Sequence, residues 1–175
     1  MLSRRQKLQR LGVLATFTVL TTSYWPTFTA HATTSVPALV KDINLDTFDG
    51  VPREPTVVGS LIFFQATDSS GDQELWKTDG TSSGTVMVKD INPNGRSSPQ
   101  NLTVLGSTLY FAADDGTHGY ELWKSDGTSS GTVLVKDINP GAQSSGLDRL
   151  GPVGAGIFFR ADDGTNGTEL WKSDG

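Results

Sequence analysis

The chain repeats itself with a period of 47 or 48 residues, and this periodicity restricts its possible folds more than any other feature. The tripeptide Glu-Leu-Trp begins at Glu74, Glu121 and Glu169. Two further motifs keep the same register: Val-Lys-Asp-Ile-Asn at 40–44, 88–92 and 135–139, and a bulky triplet at 62–64, 109–111 and 157–159. Self-similarity at a fixed period of this size is the signature of a tandem repeat architecture.

One unit, residues 102–148, has the pattern of four short strands. Apolar or β-branched runs begin at Leu102, Leu109, Tyr120 and Thr132. The segments between them are rich in Asp, Gly and Ser, which supply the Asx turns and positive φ angles that hairpins need. Four strands in 40–50 residues is the period of a β-propeller blade. The sequence therefore predicts an all-β protein of tandem four-stranded antiparallel blades, with a β-propeller-like arrangement.

The second strand of this unit is apolar on both faces. Leu109 and Phe111 point to one face, and Tyr110 and Ala112 point to the other. A strand that is apolar on both faces is expected between two neighbouring layers. We therefore expect Leu109, Phe111, Trp123 and their equivalents to be buried, with Asp126 and Gly127 in an exposed hairpin.

The repeats suggest how the chain is divided. We assign residues 55–101 to repeat 1, 102–149 to repeat 2 and 150–175 to a truncated repeat 3. Residues 33–54 form an N-terminal strand and linker, in which residues 38–44 match the strand that follows the Glu-Leu-Trp hairpin of the repeat. About three blades form an incomplete arc, because propellers need at least four. We expect an N-terminal fragment of a longer protein, able to self-associate through open blade edges.

Residues 1–32 have the order of a secretory signal peptide. A basic region holds Arg4, Arg5, Lys7 and Arg10, an apolar run covers 11–20, and Ala30-His31-Ala32 suits cleavage. The alternatives are an uncut N-terminal anchor and, for the route, twin-arginine export. We predict a signal peptide helix and an exported protein, located outside the cell, at its surface or in the periplasm.

The charge of the remaining chain excludes one class of partner. The signal carries four of the 14 Lys and Arg and none of the 19 Asp and Glu, so ten basic residues remain against 19 acidic ones, a net charge of −9. Nucleic-acid binding needs a basic surface, so no nucleic acid is expected. We also expect no transmembrane segment after the signal, and the chain has no cysteine.

Residues 121–128, Glu-Leu-Trp-Lys-Ser-Asp-Gly-Thr, resemble the signature of the ELWxxDGT repeat family of bacterial exported proteins. The resemblance implies an extracellular, propeller-like fold and no particular activity. The signature positions are Glu74, Leu75, Trp76, Asp79 and Gly80 in repeat 1, Glu121, Leu122, Trp123, Asp126 and Gly127 in repeat 2, and Glu169, Leu170, Trp171, Asp174 and Gly175 in repeat 3.

Little in the sequence indicates chemistry. His118 is the single histidine after the signal, and we interpret it as a turn residue, not a catalytic base. Oxygen-rich acidic turns can hold Ca²⁺, although turn formation alone also explains them. The calcium candidates are Asp68, Asp114, Asp115, Asp162 and Asp163.

Two functional hypotheses remain. The first is a non-enzymatic extracellular or cell-surface module that binds or scaffolds, with an unknown extracellular protein or glycan as partner and no cofactor other than calcium. The second is part of a glycan-acting propeller enzyme whose catalytic residues lie outside this sequence. A cluster of unique His, Arg or Glu side chains facing one funnel would favour the enzyme.

Overall fold

The computed structural model describes residues 36–45 and 49–175. The chain divides into two units, residues 1–36 and 37–175. The predicted signal peptide helix lies outside the described residues. All the strands named below belong to the second unit.

The described residues form strands and turns, with no helix, so the predicted all-β class is confirmed. Eleven strands build three antiparallel sheets whose neighbours follow chain order. Sheet 1 contains β1 (Arg53–Val58), β2 (Leu61–Thr67), β3 (Gln73–Thr78) and β4 (Val86–Lys89); sheet 2 contains β5 (Gln100–Leu105), β6 (Thr108–Asp114), β7 (Tyr120–Ser125) and β8 (Val133–Lys136); sheet 3 contains β9 (Asp148–Val153), β10 (Gly156–Asp162) and β11 (Thr168–Ser173).

The sheets repeat the same pairing. In the central hairpin an aromatic residue lies opposite the signature tryptophan, as in Phe64 with Trp76 and Phe111 with Trp123. Sheet 3 repeats the pair with Phe159 and Trp171. Directly opposed aromatic side chains stabilise an antiparallel pair, so each hairpin carries its own register marker.

The hydrophobic cores lie between consecutive sheets. Phe63 and Leu75 of sheet 1 pack with Leu109, Phe111 and Trp123 of sheet 2. The opposite face of sheet 2 packs against sheet 3; the buried members of this second core are Tyr110, Ala112, Leu122, Ile138, Leu147, Ile157, Phe159 and Ala161. The predicted burial of Leu109, Phe111 and Trp123 is confirmed, because their side chains are at most 6% exposed. Of their equivalents, Phe64, Trp76, Ile157 and Phe159 are also buried and Trp171 is half-buried. The prediction is wrong for Ile62, which is 39% exposed because no described sheet packs on that face of sheet 1.

The prediction of an exposed hairpin is right for Asp126 and wrong for Gly127. Gly127 is buried because the Phe63 ring of sheet 1 lies against it. A Cβ on this residue would be 3.0 Å from that ring. Gly80, at the same position of sheet 1, is exposed. The glycine of this hairpin therefore contacts the preceding sheet where such a sheet packs against the hairpin.

The first strand of each sheet begins with a bulge that the sequence did not reveal. Glu54, Asn101 and Arg149 occupy one repeat position and have φ angles of 51°, 59° and 56°. Non-glycine residues rarely adopt such angles, and here the strand register shifts at the same place. The strands begin at residues 53, 100 and 148, two residues before the repeats assigned from the sequence.

The described N-terminal segment, residues 36–45, is extended but not part of a strand. Its Ile43 packs against the cluster of Phe64, Ala66 and Trp76 on the outer face of sheet 1. The Lys41 Nζ donates to the Thr85 carbonyl at 2.7 Å. The segment therefore covers part of that face without completing a ladder.

Among the described residues there is no helix long and apolar enough to span a membrane.

Candidate functional site

The signature turns after the Glu-Leu-Trp strands of sheets 1 and 2 are held by their aspartates. Asp126 Oδ1 accepts hydrogen bonds from the Thr128 N–H at 2.8 Å and the Thr128 hydroxyl at 2.7 Å. The hydrogen bond from the Thr128 hydroxyl lowers the pKa of Asp126 most, and the one from the Thr128 N–H lowers it further, so this pKa lies below its usual range. A Cβ on Gly131 would overlap the Asp126 carboxylate, so glycine is required there. The turn of sheet 1 repeats these contacts with Asp79, Thr81 and Gly84.

The signature glutamate of sheet 1 is fully buried and fixes the loop that follows β4. Glu74 accepts from the backbone N–H groups of Ile91 and Ser97, each at 3.0 Å, and from the Ser97 hydroxyl. Burial raises the pKa of Glu74 to about 6, although these hydrogen bonds oppose the rise. The Ser97 carbonyl in turn accepts from Asp114 N–H at the end of β6, at 3.0 Å. Glu74 therefore holds a loop that joins sheet 1 to sheet 2.

Sheet 2 repeats this arrangement one unit further along. Glu121 is 0% exposed and accepts from Ile138 N–H at 3.0 Å and Ser145 N–H at 2.9 Å. Burial raises the pKa of Glu121 as well. The Ser145 carbonyl accepts from Asp162 N–H of sheet 3 at 2.8 Å. By contrast, Glu169 of sheet 3 is exposed.

The lysines of the repeat also join one unit to the next. Lys77 Nζ donates to the Gly127 carbonyl at 2.7 Å, and Lys124 Nζ donates to the Gly175 carbonyl at 2.8 Å. A second lysine, Lys89, donates to a carbonyl of sheet 2 at 2.8 Å and lies 5.7 Å from the centroid of the Trp123 ring. A cation over an aromatic face is an attractive pair. The signature residues therefore act mainly as connectors between units.

The acidic calcium candidates lie in turns at the ends of the second strands. Asp68 Oδ1 accepts from Ser70 N–H and its hydroxyl and from Asp72 N–H. Asp163 Oδ1 accepts from Thr165 N–H and Asn166 N–H. Asp114, Asp115 and Asp162 each accept backbone N–H groups of their own turns. The structure thus gives each candidate a role in turn formation, and it places them in three separate turns.

A different acidic group was not predicted from the sequence. Carboxylate oxygens of Asp72, Glu74 and Asp90 lie within 4.8 Å of one another. Burial and then the nearby Asp90 carboxylate raise the pKa of Asp72. Gly119 stands at the repeat position of Asp72 in sheet 2, so the group is particular to repeat 1. Its members come from separate parts of the unit, and their proximity depends on the loop that Glu74 holds.

His118 belongs to the second of the acidic turns. Its Nδ1 lies 2.8 Å from Asp115 Oδ2, and this hydrogen bond raises the pKa of His118. Burial acts to raise the pKa of Asp115, but hydrogen bonds from His118 and Thr117 outweigh it and keep that pKa low. The pair therefore closes its own turn.

A polar groove of about 350 Å³ lies near the start of the first strands of sheets 1 and 2. Two of its side chains differ from those at the same repeat position in sheet 2: Gln65 corresponds to Ala112, and Gln73 corresponds to Tyr120. Ser98 Oγ donates to Gln73 Oε1 at 2.8 Å. The remaining lining residues are Arg53, Glu54 and Gln100.

No protein-family model, curated protein or solved structure matches this chain.

Proposed function

We propose that this chain is an exported, non-enzymatic module of the ELWxxDGT type, whose sheets are the blades of a β-propeller-like array and which binds or scaffolds outside the cell. One observation carries the proposal. Recurring side chains link each unit to the next: Glu74 holds the loop whose Ser97 carbonyl accepts from Asp114 N–H of the next unit, and Lys77 donates to the Gly127 carbonyl there. Repeated residues with this role maintain an array, and side chains that vary from unit to unit are free to recognise a ligand.

The polar groove is the surface that we assign to the ligand. It combines a guanidinium, a carboxylate and several amides from Arg53, Glu54 and the neighbouring glutamines. Such groups hydrogen-bond to hydroxyls without needing a charged partner. An extracellular glycan is therefore the ligand class that fits the groove best.

Binding can be tested with a panel of immobilised bacterial and plant glycans. The purified chain should bind at least one of them, and Arg53→Ala combined with Gln100→Ala should weaken binding about tenfold, equal to about 1.4 kcal/mol. Both residues are exposed, so the double variant should keep its fold. Lys136→Ala, on exposed β8, is the matched control. Binding that is unaffected by the double variant would contradict the assignment of the groove.

Export can be tested separately. Residues 1–32, fused to a β-lactamase that confers ampicillin resistance only after export, should give β-lactamase activity outside the cytoplasm of a bacterial host. Arg4→Lys with Arg5→Lys should leave that activity intact for the general secretory route and abolish it for the twin-arginine route. An inactive fusion that is stably expressed would contradict the proposed location.

A further inference from the structure

The polar groove contains a buried amide that has no hydrogen-bond partner among the described residues. Gln65 of β2 lines the groove and is 8% exposed, and its side chain forms no hydrogen bond within the part of the chain that the structure describes. Buried polar groups are almost always hydrogen-bonded, because an unpaired one costs free energy. The Gln65 amide therefore keeps its donors and its acceptor for a group that enters the groove.

The repeat shows that packing does not require this amide. Gln65 lies on the same face of β2 as Phe63, which packs against sheet 2, and it pairs with Leu75 of β3. Ala112, at the same repeat position in sheet 2, is a member of the next apolar core. A small apolar residue thus suffices at this position between two sheets, so the amide of Gln65 serves the groove and not the fold.

One wall of the groove also departs from the repeat. Ser98 has a φ of 43°, and Gly146 stands at the same repeat position with a φ of 60°. Glycine adopts such angles at little cost, whereas serine accepts some backbone strain. The Ser98 hydroxyl donates to Gln73 Oε1 at 2.8 Å, and the Ser98 N–H donates to the Gln73 carbonyl at 3.0 Å. These contacts orient the Gln73 amide and leave its NH₂ group as a donor in the groove.

The charged side chains of the groove balance each other. Arg53 of β1 pairs with Gln65 across the ladder and forms no ion pair with any described residue. Glu54 is directed toward sheet 2, where its Oε2 accepts from Leu102 N–H at 3.1 Å. One guanidinium and one carboxylate leave the lining of the groove without net charge. A neutral polar group therefore complements the groove better than an ionised one.

We propose that Gln65 binds the acetamido group of an N-acetylated amino sugar, so that the groove recognises glycans built from such sugars. The inference rests on the proposed function, because it takes a glycan as the ligand, and it names the chemical group that is recognised. An acetamido group is planar and carries one N–H donor and one carbonyl acceptor. The Gln65 amide carries the matching acceptor and donors, so the two groups can pair through parallel hydrogen bonds.

The other groups that sugars carry at this ring position pair with Gln65 less completely. A hydroxyl places its donor and its acceptor on one atom, so it leaves the oxygen or the nitrogen of the buried amide unpaired. An ammonium group only donates, and it would bring a positive charge close to Arg53. A site built to hydrogen-bond one group discriminates strongly against analogues that leave its buried polar atoms unpaired.

Tetrasaccharides with the same β-linked backbone test this choice of group. The oligomers of N-acetylglucosamine, glucose and glucosamine differ at a single ring position. Isothermal titration calorimetry with the purified chain should give an affinity for the N-acetylglucosamine oligomer at least about tenfold higher than for the other two. Equal affinity for the glucose oligomer, or binding of other glycans without this oligomer, would overturn the acetamido assignment and leave the glycan proposal intact. A chain that binds no glycan contradicts both.

Substitutions at Gln65 connect the preference to its amide. Gln65→Ala introduces the residue that sheet 2 has at this position, and Gln65→Met keeps the volume of the side chain without its amide. Each variant should reduce the preference for the N-acetylglucosamine oligomer to less than about twofold. Lys136→Ala, on exposed β8, should leave the preference unchanged. A Gln65 variant that keeps a preference of about tenfold would refute the role of this residue.

A stability measurement separates recognition from a structural role. Without ligand, Gln65→Met should leave the midpoint of urea unfolding unchanged or raise it, because an unpaired buried amide is unfavourable. The N-acetylglucosamine oligomer should raise the midpoint of the native chain, since it binds the folded state, and should raise that of the variant much less. A midpoint that falls in Gln65→Met without ligand would mean that the amide supports the fold, and the proposal would be wrong.

Discussion

The buried signature glutamate offers the sharpest test of how the units are joined. Glu121→Ala would leave the backbone N–H groups of Ile138 and Ser145 without the carboxylate that now accepts from them at 3.0 and 2.9 Å. An unsatisfied buried donor costs about 1–3 kcal/mol. Part of this cost is offset, because the substitution also removes a carboxylate whose burial is unfavourable, as its raised pKa indicates. We expect the free energy of unfolding to fall by about 3 kcal/mol.

The chain contains a matched control for this substitution. Glu169 occupies the same repeat position but is exposed, so Glu169→Ala should change the free energy of unfolding by less than about 0.5 kcal/mol. Urea denaturation at pH 7, followed by tryptophan fluorescence, measures both variants. Both variants should be measured at the same protein concentration, because any binding between folded copies would raise the apparent stability. The argument fails if Glu121→Ala costs under about 1 kcal/mol, or no more than Glu169→Ala.

Three other predictions follow from the described contacts. The pKa of Glu74 is raised from 4.5 to about 6, so the folded state binds the proton of this carboxyl more tightly than the unfolded state does. The stabilisation of the fold by this proton is complete below pH 4.5 and is lost as pH rises through 6. Melts from pH 4 to 7 should show this loss, and Glu74→Gln should make it smaller by about 1–2 kcal/mol, with the remainder due to Glu121 and Asp72, whose pKa values are also raised; a profile that the substitution leaves unchanged would contradict the role. Gly131→Ala should displace the Asp126 carboxylate and cost about 1–2 kcal/mol in urea unfolding, whereas a neutral result would mean that the turn adapts freely. The calcium hypothesis predicts that millimolar Ca²⁺ raises Tm and that Asp115→Asn with Asp163→Asn removes the rise; a flat titration would leave them as turn formers.

The strands could be predicted from the sequence because each is short, apolar and bounded by turn residues. The β6 strand, predicted to begin at Leu109, runs from Thr108 to Asp114. The beginning of each first strand could not be predicted, since Asn101 and its equivalents are polar and adopt positive φ angles that local propensity does not favour. The repeats assigned from the sequence therefore begin two residues after the observed first strands.

The contacts of the site were harder to predict than the fold. Gly127 has the composition of an exposed turn, and its burial depends on the ring of Phe63 in another unit. The role of Glu74 depends on a loop that begins 17 residues later, at Ile91. The motif identified these positions as special, but which groups they contact is determined by the packing of consecutive sheets. Charge pattern and spacing carry no signal for either contact.

The stacking of the sheets also determines the order in which the protein should open. Within the described residues, sheet 2 has a packed sheet on each face, whereas sheet 3 has one on a single face. In a linear array of this kind, stability is the sum of what each element contributes and what each shared boundary adds. Backbone amides of β10 should therefore exchange with solvent deuterons sooner than those of β6, through partial opening that leaves sheet 2 intact.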